Sequence, residues 1–157
     1  RAVPAQPDHH GADWIALDRY VFAEGASRFE SWAHDQAAWL GLGAAVVTGR
    51  TLGRARMEAT VPARAAALRH GLVALGWAVH DVGDRRSAIV TSSHPTREAA
   101  AVRAHLRAAG INVSTTFTGS ARADMEARGL PPMVRMSVHC TTTPDEVERV
   151  LAVARTM

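Results

Sequence analysis

The hydrophobic positions in the first half of the chain recur with a helical period. One apolar stripe begins after Ser31, and a second one follows it and ends before Gly76. The stripes are formed by Trp32, Trp39, Leu42 and Val46, and by Val61, Ala65, Leu68, Leu72 and Leu75. Apolar residues at this spacing share one face of a helix, and a glycine commonly ends a helix. The pattern therefore predicts two successive helices.

The next segments alternate between apolar and polar residues, which is typical of strands with one buried face. Residues 77–82 and 88–92 alternate in this way, and Gly83-Asp84-Arg85-Arg86 between them predicts a hairpin turn. Residues 111–117 are rich in β-branched side chains, and residues 133–139 alternate again. We therefore expect four strands.

Helical signals separate and follow these strands. His94-Pro95 opens an apolar stripe that Gly110 ends, and we expect one helical turn within residues 122–128. Thr143-Pro144-Asp145-Glu146 is a capping box with proline at the first helical position, which predicts the start of the last helix.

The order of these elements predicts an α+β fold, in which a small, mostly antiparallel sheet packs against helices. Residues 1–30 contain prolines and glycines without a sustained period, so we expect an extended N-terminal arm there. Residues 31–157 are then expected to form the small α+β domain.

The composition is that of an ordinary globular protein, with 47% hydrophobic and 21% charged residues. The single cysteine, Cys140, excludes an internal disulfide and a multi-cysteine metal site. No apolar run approaches the roughly 20 residues that span a membrane. No basic-then-apolar leader opens the chain, and we expect a cytoplasmic protein without a membrane partner.

The basic residues are unusual because all 18 of them are arginine and none is lysine. The absence of lysine excludes every reaction of this chain that needs a side-chain amine, such as a covalent bond to a carbonyl group. The net charge is only +3 and the arginines are scattered, which argues against nucleic-acid binding.

Three motifs suggest chemistry but lack its context. Gly41-Leu42-Gly43 has neither the preceding strand nor the third glycine of a dinucleotide-binding loop, and helix packing explains it better. Adjacent strand residues such as His80 and Asp81 point to opposite faces, and no helical histidine pair with a glutamate occurs, so we expect no metal site. Cys140 beside His139 is better explained as an inert thiol than as a nucleophile with its base, although its role stays open.

Arg135 is the stronger candidate. Alternation within residues 133–139 places Val134 and Met136 on the buried face and Arg135 on the opposite one. A guanidinium on a rigid strand can hold a carboxylate through two parallel hydrogen bonds. From the pattern alone, a surface arginine that pairs with a local acid is an equally good interpretation.

Five segments occur here in an order known from one protein family. They are Arg28-Phe29-Glu30, Leu40-Gly41-Leu42-Gly43-Ala44-Ala45-Val46, Gly110-Ile111-Asn112-Val113-Ser114, Val134-Arg135-Met136-Ser137-Val138-His139 and Thr142-Thr143-Pro144-Asp145-Glu146-Val147. From His10 to Val153 the chain resembles the C-terminal part of the class V aminotransferase family, which consists of pyridoxal-phosphate (PLP) enzymes of fold type I. The family includes cysteine desulfurases, C–S lyases and isopenicillin-N-epimerase-like proteins.

The resemblance implies a site. In the family this region is the small C-terminal domain, preceded by an arm that leaves a lysine-bearing large domain. The arginine at the position of Arg135 binds the α-carboxylate of an amino acid substrate beside the cofactor. The segment after Arg28-Phe29-Glu30 usually ends in Gly-Thr and reaches the PLP phosphate of the neighbouring subunit in a homodimer. Trp32 and Ala33 stand in those two places here, so we expect the Ser31 hydroxyl to supply a phosphate contact, and Trp32 to lie at the cofactor or instead at the subunit boundary.

Two departures from the family pattern limit this expectation. The lysine that binds PLP would lie upstream of Arg1, and the cysteine of true desulfurases is missing between Ser114 and Arg128. We therefore expect a fragment or one half of a split enzyme, inactive alone, that serves transamination, epimerisation or β-elimination rather than persulfide formation. The alternative is a free-standing binding or regulatory module that has lost the cofactor.

Overall fold

A computed structural model describes residues 2–31 and 34–157 of the chain. Contacts between Cα atoms divide the chain into two compact units, Arg1–Thr51 and Leu52–Met157. From the sequence we expected the boundary between residues 30 and 31, and that boundary stays a prediction.

The first unit contains a β-hairpin that the sequence analysis did not predict. Strands β1 (Ala12–Ala16) and β2 (Arg19–Phe22) pair in antiparallel fashion, and a 3-10 helix follows at Gly25–Phe29. The pairing register shifts between Trp14 and Ala16. No residue of either strand is fully buried, so the hairpin has no buried face to produce the alternation by which strands are recognised. The expected extended arm is therefore partly a hairpin.

Arg28 is the buried polar centre of this unit. Its Nε donates a hydrogen bond to the carbonyl oxygen of Gly25 at 2.7 Å, and its Nη1 donates to that of Ala2 at 3.3 Å. The backbone of Gly11 passes so close that a Cβ there would lie 2.5 Å from the Arg28 carbonyl oxygen. Only glycine fits at this crossing, because any side chain would collide with backbone.

Helix α1 (Gln36–Leu52) reaches the boundary between the two units and begins five residues later than Ser31, from which the helical pattern was expected. Trp32, the first residue of the predicted stripe, lies outside the described residues. The described chain buries none of the residues of α1, and nothing lies within 4 Å of a Cβ placed on Gly41 or Gly43. The packing partner expected for Gly41-Leu42-Gly43 is therefore not found among residues 2–31 and 34–157.

The second unit has the expected sheet and helices, but the helix expected to open at His94-Pro95 begins later, at Ala99. Its elements are α2 (Arg54–Ala74), β3 (Ala78–Val79), β4 (Ile89–Ser93), α3 (Ala99–Ala108), β5 (Ser114–Thr116), α4 (Arg122–Arg128), β6 (Met133–Ser137) and α5 (Pro144–Ala154). The strand order is β3-β4-β6-β5, and every neighbouring pair is antiparallel. The α+β fold class is confirmed.

The core lies on one face of this sheet, where α2, α3 and α5 pack. Its fully buried members include Leu72, Val90, Val102, Leu106 and Val134. Helix α5 begins where the sequence predicts, because the Thr143 hydroxyl accepts a hydrogen bond from the Glu146 amide at 3.2 Å and the Glu146 carboxylate accepts one from the Thr143 amide at 2.7 Å. The other face of the sheet carries Arg135 and most of the polar strand positions, together with Ile89 and Met133.

Candidate functional site

Arg135 lies on β6, one of the two central strands of the sheet. Its neighbours Val134 and Met136 are buried in the core, whereas the side chain of Arg135 is exposed on the opposite face. Thr91 of β4 and Ser114 of β5 are its register partners on the two sides. The rigid strand thus presents the guanidinium away from the helices, as the alternation predicts.

The Arg135 guanidinium has no hydrogen-bond or ion-pair partner within residues 2–31 and 34–157. Other arginines of the second unit occupy several of its acids: Arg69 pairs with Asp81, Arg122 with Glu126, and Arg128 with Asp124. A local acid was the equally good interpretation of Arg135, and the described chain does not supply one. The fork is therefore free to bind an anion.

Two hydroxyl residues and a histidine lie in the cross-strand row of Arg135 on this face. The His80 amide donates a hydrogen bond to the Thr91 carbonyl oxygen at 2.9 Å, which places His80 at the end of the cross-strand row of Thr91, Arg135 and Ser114. Its ring Nε2 lies 2.7 Å from the Ser93 hydroxyl oxygen. Burial and the nearby Arg128 lower the pKa of His80, against a smaller opposing effect of Asp81, which favours the neutral imidazole.

The two residues predicted to contact the cofactor belong to the first unit. Ser31 is exposed in the segment between the 3-10 helix and α1. Trp32 lies outside the described residues, so its predicted contact stays untested. Ser31 belongs to the first unit and Arg135 to the second.

The ion pair of Arg69 and Asp81 was not predicted from the sequence. Arg69 Nε donates to Asp81 Oδ2 at 2.6 Å, and the two side chains are 7% and 17% exposed. Arg69 Nη2 also donates to the Ser87 carbonyl oxygen at 2.6 Å, so one side chain of α2 holds the β3–β4 connection. The available signal was its position next to Leu68, on the helix face that carries the apolar stripe.

The other sequence candidates do not form a site. No cluster of three or more potential metal ligands occurs in the described part of the chain. Cys140 is half-buried, and its sulfur lies 3.5 Å from His139 Nδ1, while Arg64 binds only its carbonyl oxygen. No helix of the described residues is long and apolar enough to cross a membrane.

Comparison with known proteins identifies the family. The model of the class V aminotransferases matches residues 3–150, which is nearly the entire sequence. The chain belongs to the class V aminotransferase family. No curated protein matches it. The family is PLP-dependent.

Solved structures show the same fold. A cysteine desulfurase of Thermococcus onnurineus is 23% identical, with a TM-score of 0.81, and the cysteine desulfurase CsdA of Escherichia coli is 15% identical, with a TM-score of 0.77. Each match covers 98% of this chain and 38% of the other protein. C-DES, solved with glycine covalently linked to its PLP cofactor, is 22% identical, with a TM-score of 0.69, over 96% of this chain and 37% of C-DES. The class V chain thus spans well under half the length of these proteins.

The residues present fit one part of a PLP enzyme and not another. The free, exposed guanidinium of Arg135 suits the carboxylate of an amino acid, and the exposed Ser31 hydroxyl suits a phosphate oxygen. The chain has no lysine, so it cannot supply the amine that binds PLP covalently. The residues present can therefore recognise an anion.

Proposed function

We propose that this chain is the substrate-carboxylate-binding C-terminal portion of a PLP-dependent class V enzyme that acts on an amino acid. The observation that carries the proposal is Arg135, which is exposed, unpaired within the described residues, and fixed on a central strand. Arg69, which holds the connection between β3 and β4, is by contrast buried and fully engaged.

Arg135 acts by orienting the substrate. Two parallel N–H donors hold the α-carboxylate, a charged interaction that contributes about 1.5–3 kcal/mol. PLP, when bound, withdraws electrons from the substrate α-carbon. Because the carboxylate is fixed, Arg135 determines how the bonds of that carbon are presented to the cofactor.

The rest of the site comes from polypeptide beyond this chain. A lysine-bearing large domain, in the same longer protein or in a split partner, supplies the amine that holds PLP. In a homodimer, the Ser31 hydroxyl and Trp32 contact the phosphate end of the cofactor. This division is supported by the absence of lysine and by the 38% of the related chains that this chain spans. The chain alone is inactive under this proposal.

The reaction is a transamination, an epimerisation or a C–S lyase-type elimination. Persulfide formation is not proposed, because no cysteine lies between Ser114 and Arg128 to accept the sulfur. The alternative of a cofactor-free module is not proposed, because residues 3–150 match the class V family and that family is PLP-dependent.

The test is an Arg135→Lys substitution in the full-length protein. Lysine keeps the charge but cannot form the two parallel hydrogen bonds, so we expect kcat/KM for the amino acid substrate to fall by about 10- to 100-fold. Arg107→Lys, at an exposed position of α3, is the matched control and should leave kcat/KM unchanged. Unchanged kinetics for Arg135→Lys would remove Arg135 from the site.

A further inference from the structure

Two hydroxyl side chains flank Arg135 directly. Thr91 on β4 and Ser114 on β5 are its register partners, and all three side chains lie on the face of the sheet opposite the core. Side chains in such cross-strand pairs have Cβ atoms about 4.5–5.5 Å apart. Both hydroxyls are therefore within reach of the near end of the guanidinium.

Neither hydroxyl has another task in the described chain. The structure shows no hydrogen bond of the Thr91 or Ser114 hydroxyl within residues 2–31 and 34–157, although both residues are partly buried. The neighbouring hydroxyl of Ser93, by contrast, is paired with His80. The hydroxyl oxygens of Thr91 and Ser114 are thus available as hydrogen-bond acceptors on the two sides of the Arg135 guanidinium, whose N–H donors are also unpaired in the described chain.

The donor count of the guanidinium explains why such acceptors matter. A guanidinium has five N–H donors, and a carboxylate held through two parallel bonds uses two of them. The remaining three need acceptors once a substrate covers the site, because an unsatisfied buried donor is costly. No acid of the described chain pairs with Arg135, so hydroxyl oxygens are the acceptors that the sheet provides.

We infer that Thr91 and Ser114 are positioning residues, whose hydroxyls accept N–H groups that the carboxylate leaves free and so fix the plane of the Arg135 fork. This inference rests on the proposed function. Other positions of the same face lack this arrangement: Ser137 is in register with Ile89, and Thr116 is in register with Met133. The row of Thr91, Arg135 and Ser114 is the one that combines a cation with hydroxyls on both sides.

The experiment compares two probes that differ only in the carboxylate, L-alanine and ethylamine. Their dissociation constants are measured on the full-length protein from the absorbance change of bound PLP, and the ratio gives the carboxylate preference. We expect Thr91→Val and Ser114→Ala to lower this preference by about three- to tenfold each. Thr91→Ser keeps a hydroxyl at this position and should retain the carboxylate preference of the parent protein. Thr116→Val is the matched control and should leave the carboxylate preference unchanged.

A double-mutant cycle separates action through Arg135 from direct contact with the substrate. In an Arg135→Ala background, which itself loses most of the carboxylate preference, Thr91→Val and Ser114→Ala should have no further effect. An effect that persists in that background would overturn the positioning role, as would a Thr116→Val variant that loses as much.

The same data distinguish failure of this inference from failure of the proposed function. If Arg135→Ala leaves the preference for L-alanine over ethylamine unchanged, the proposed function is wrong and the inference falls with it. If Arg135→Ala abolishes the preference while both hydroxyl variants keep it, the proposed function stands and only the positioning role is wrong.

Discussion

Arg69 and Arg135 show how differently one residue type is used within a single unit. Arg69 is buried, pairs with Asp81 and binds backbone carbonyl groups of the β3–β4 connection. Arg135 is exposed and has no partner within the described residues. Burial of a charge is tolerated only when the charge is paired, whereas an exposed charge on a rigid strand is available to a ligand. Substitution of Arg69 should therefore lower the stability of the fold, whereas substitution of Arg135 should weaken ligand binding.

The first expectation concerns stability. Arg69→Met leaves the half-buried Asp81 carboxylate without its partner, so the free energy of unfolding should fall by about 3–5 kcal/mol. Urea denaturation measures this loss. Arg54→Met breaks only the exposed pair with Glu58 and should cost at most about 1 kcal/mol. If the two variants lose the same free energy of unfolding, burial of the Arg69–Asp81 ion pair does not determine its contribution to stability.

A second expectation concerns His80 and pH. Burial, together with Arg128, lowers the pKa of His80 in the folded state, so the unfolded chain binds the proton more tightly. The free energy of unfolding should therefore fall as the pH is lowered through the window just below the ordinary histidine pKa of 6.5.

The measurement for His80 is urea denaturation at several pH values between about 5 and 8. In His80→Gln, the free energy of unfolding should fall less steeply as the pH is lowered. Part of this decline should remain, because burial and Arg97 also lower the pKa of His94. A decline of unchanged steepness in His80→Gln would contradict the assignment.

At the residue scale, the sequence predicted the face of Arg135 but not the partner of Arg69. Alternation in β6 was readable because one face of that strand is buried, with Val134 and Met136 in the core. The contact between Arg69 and Asp81 depends on how α2 lies against the sheet, which a sequence pattern does not contain. The sequence likewise could not predict that Arg135 has no partner within the described residues, because that depends on where the acidic side chains lie in the fold.

At the scale of the elements, local signals succeeded where a buried face or a cap accompanied them. The capping box of α5 is present as predicted. Three strands of the second unit were located from their alternation and β5 from its β-branched residues. The hairpin of β1 and β2 was missed because neither strand has a fully buried residue and its register is irregular. Helix α1 was predicted from its apolar stripe, yet the described chain buries none of it.

The cap of α5 provides the expectation for this scale. Thr143→Ala removes the acceptor for the Glu146 amide, so the free energy of unfolding should fall by about 0.5–2 kcal/mol. Thr141→Ala, two residues earlier in an exposed turn, loses only a contact with the His139 ring and should stay within about 0.5 kcal/mol of the parent. A Thr143→Ala variant as stable as the parent chain would show that the cap contributes little to α5.

At the scale of the whole molecule, the chain spans only part of the length of the proteins that it resembles. It belongs to the class V aminotransferase family, yet it spans about 38% of the related solved proteins and contains no lysine. The resemblance of five ordered segments led to the family, which the family match confirmed. We propose that another domain holds PLP and that this chain binds the substrate carboxylate through Arg135.

The most direct test of that proposal is a crystal structure of the full-length protein with PLP and a bound amino acid. The account predicts that both carboxylate oxygens lie about 2.7–2.9 Å from nitrogens of the Arg135 guanidinium. A carboxylate held by other groups, with Arg135 directed to solvent, would contradict it.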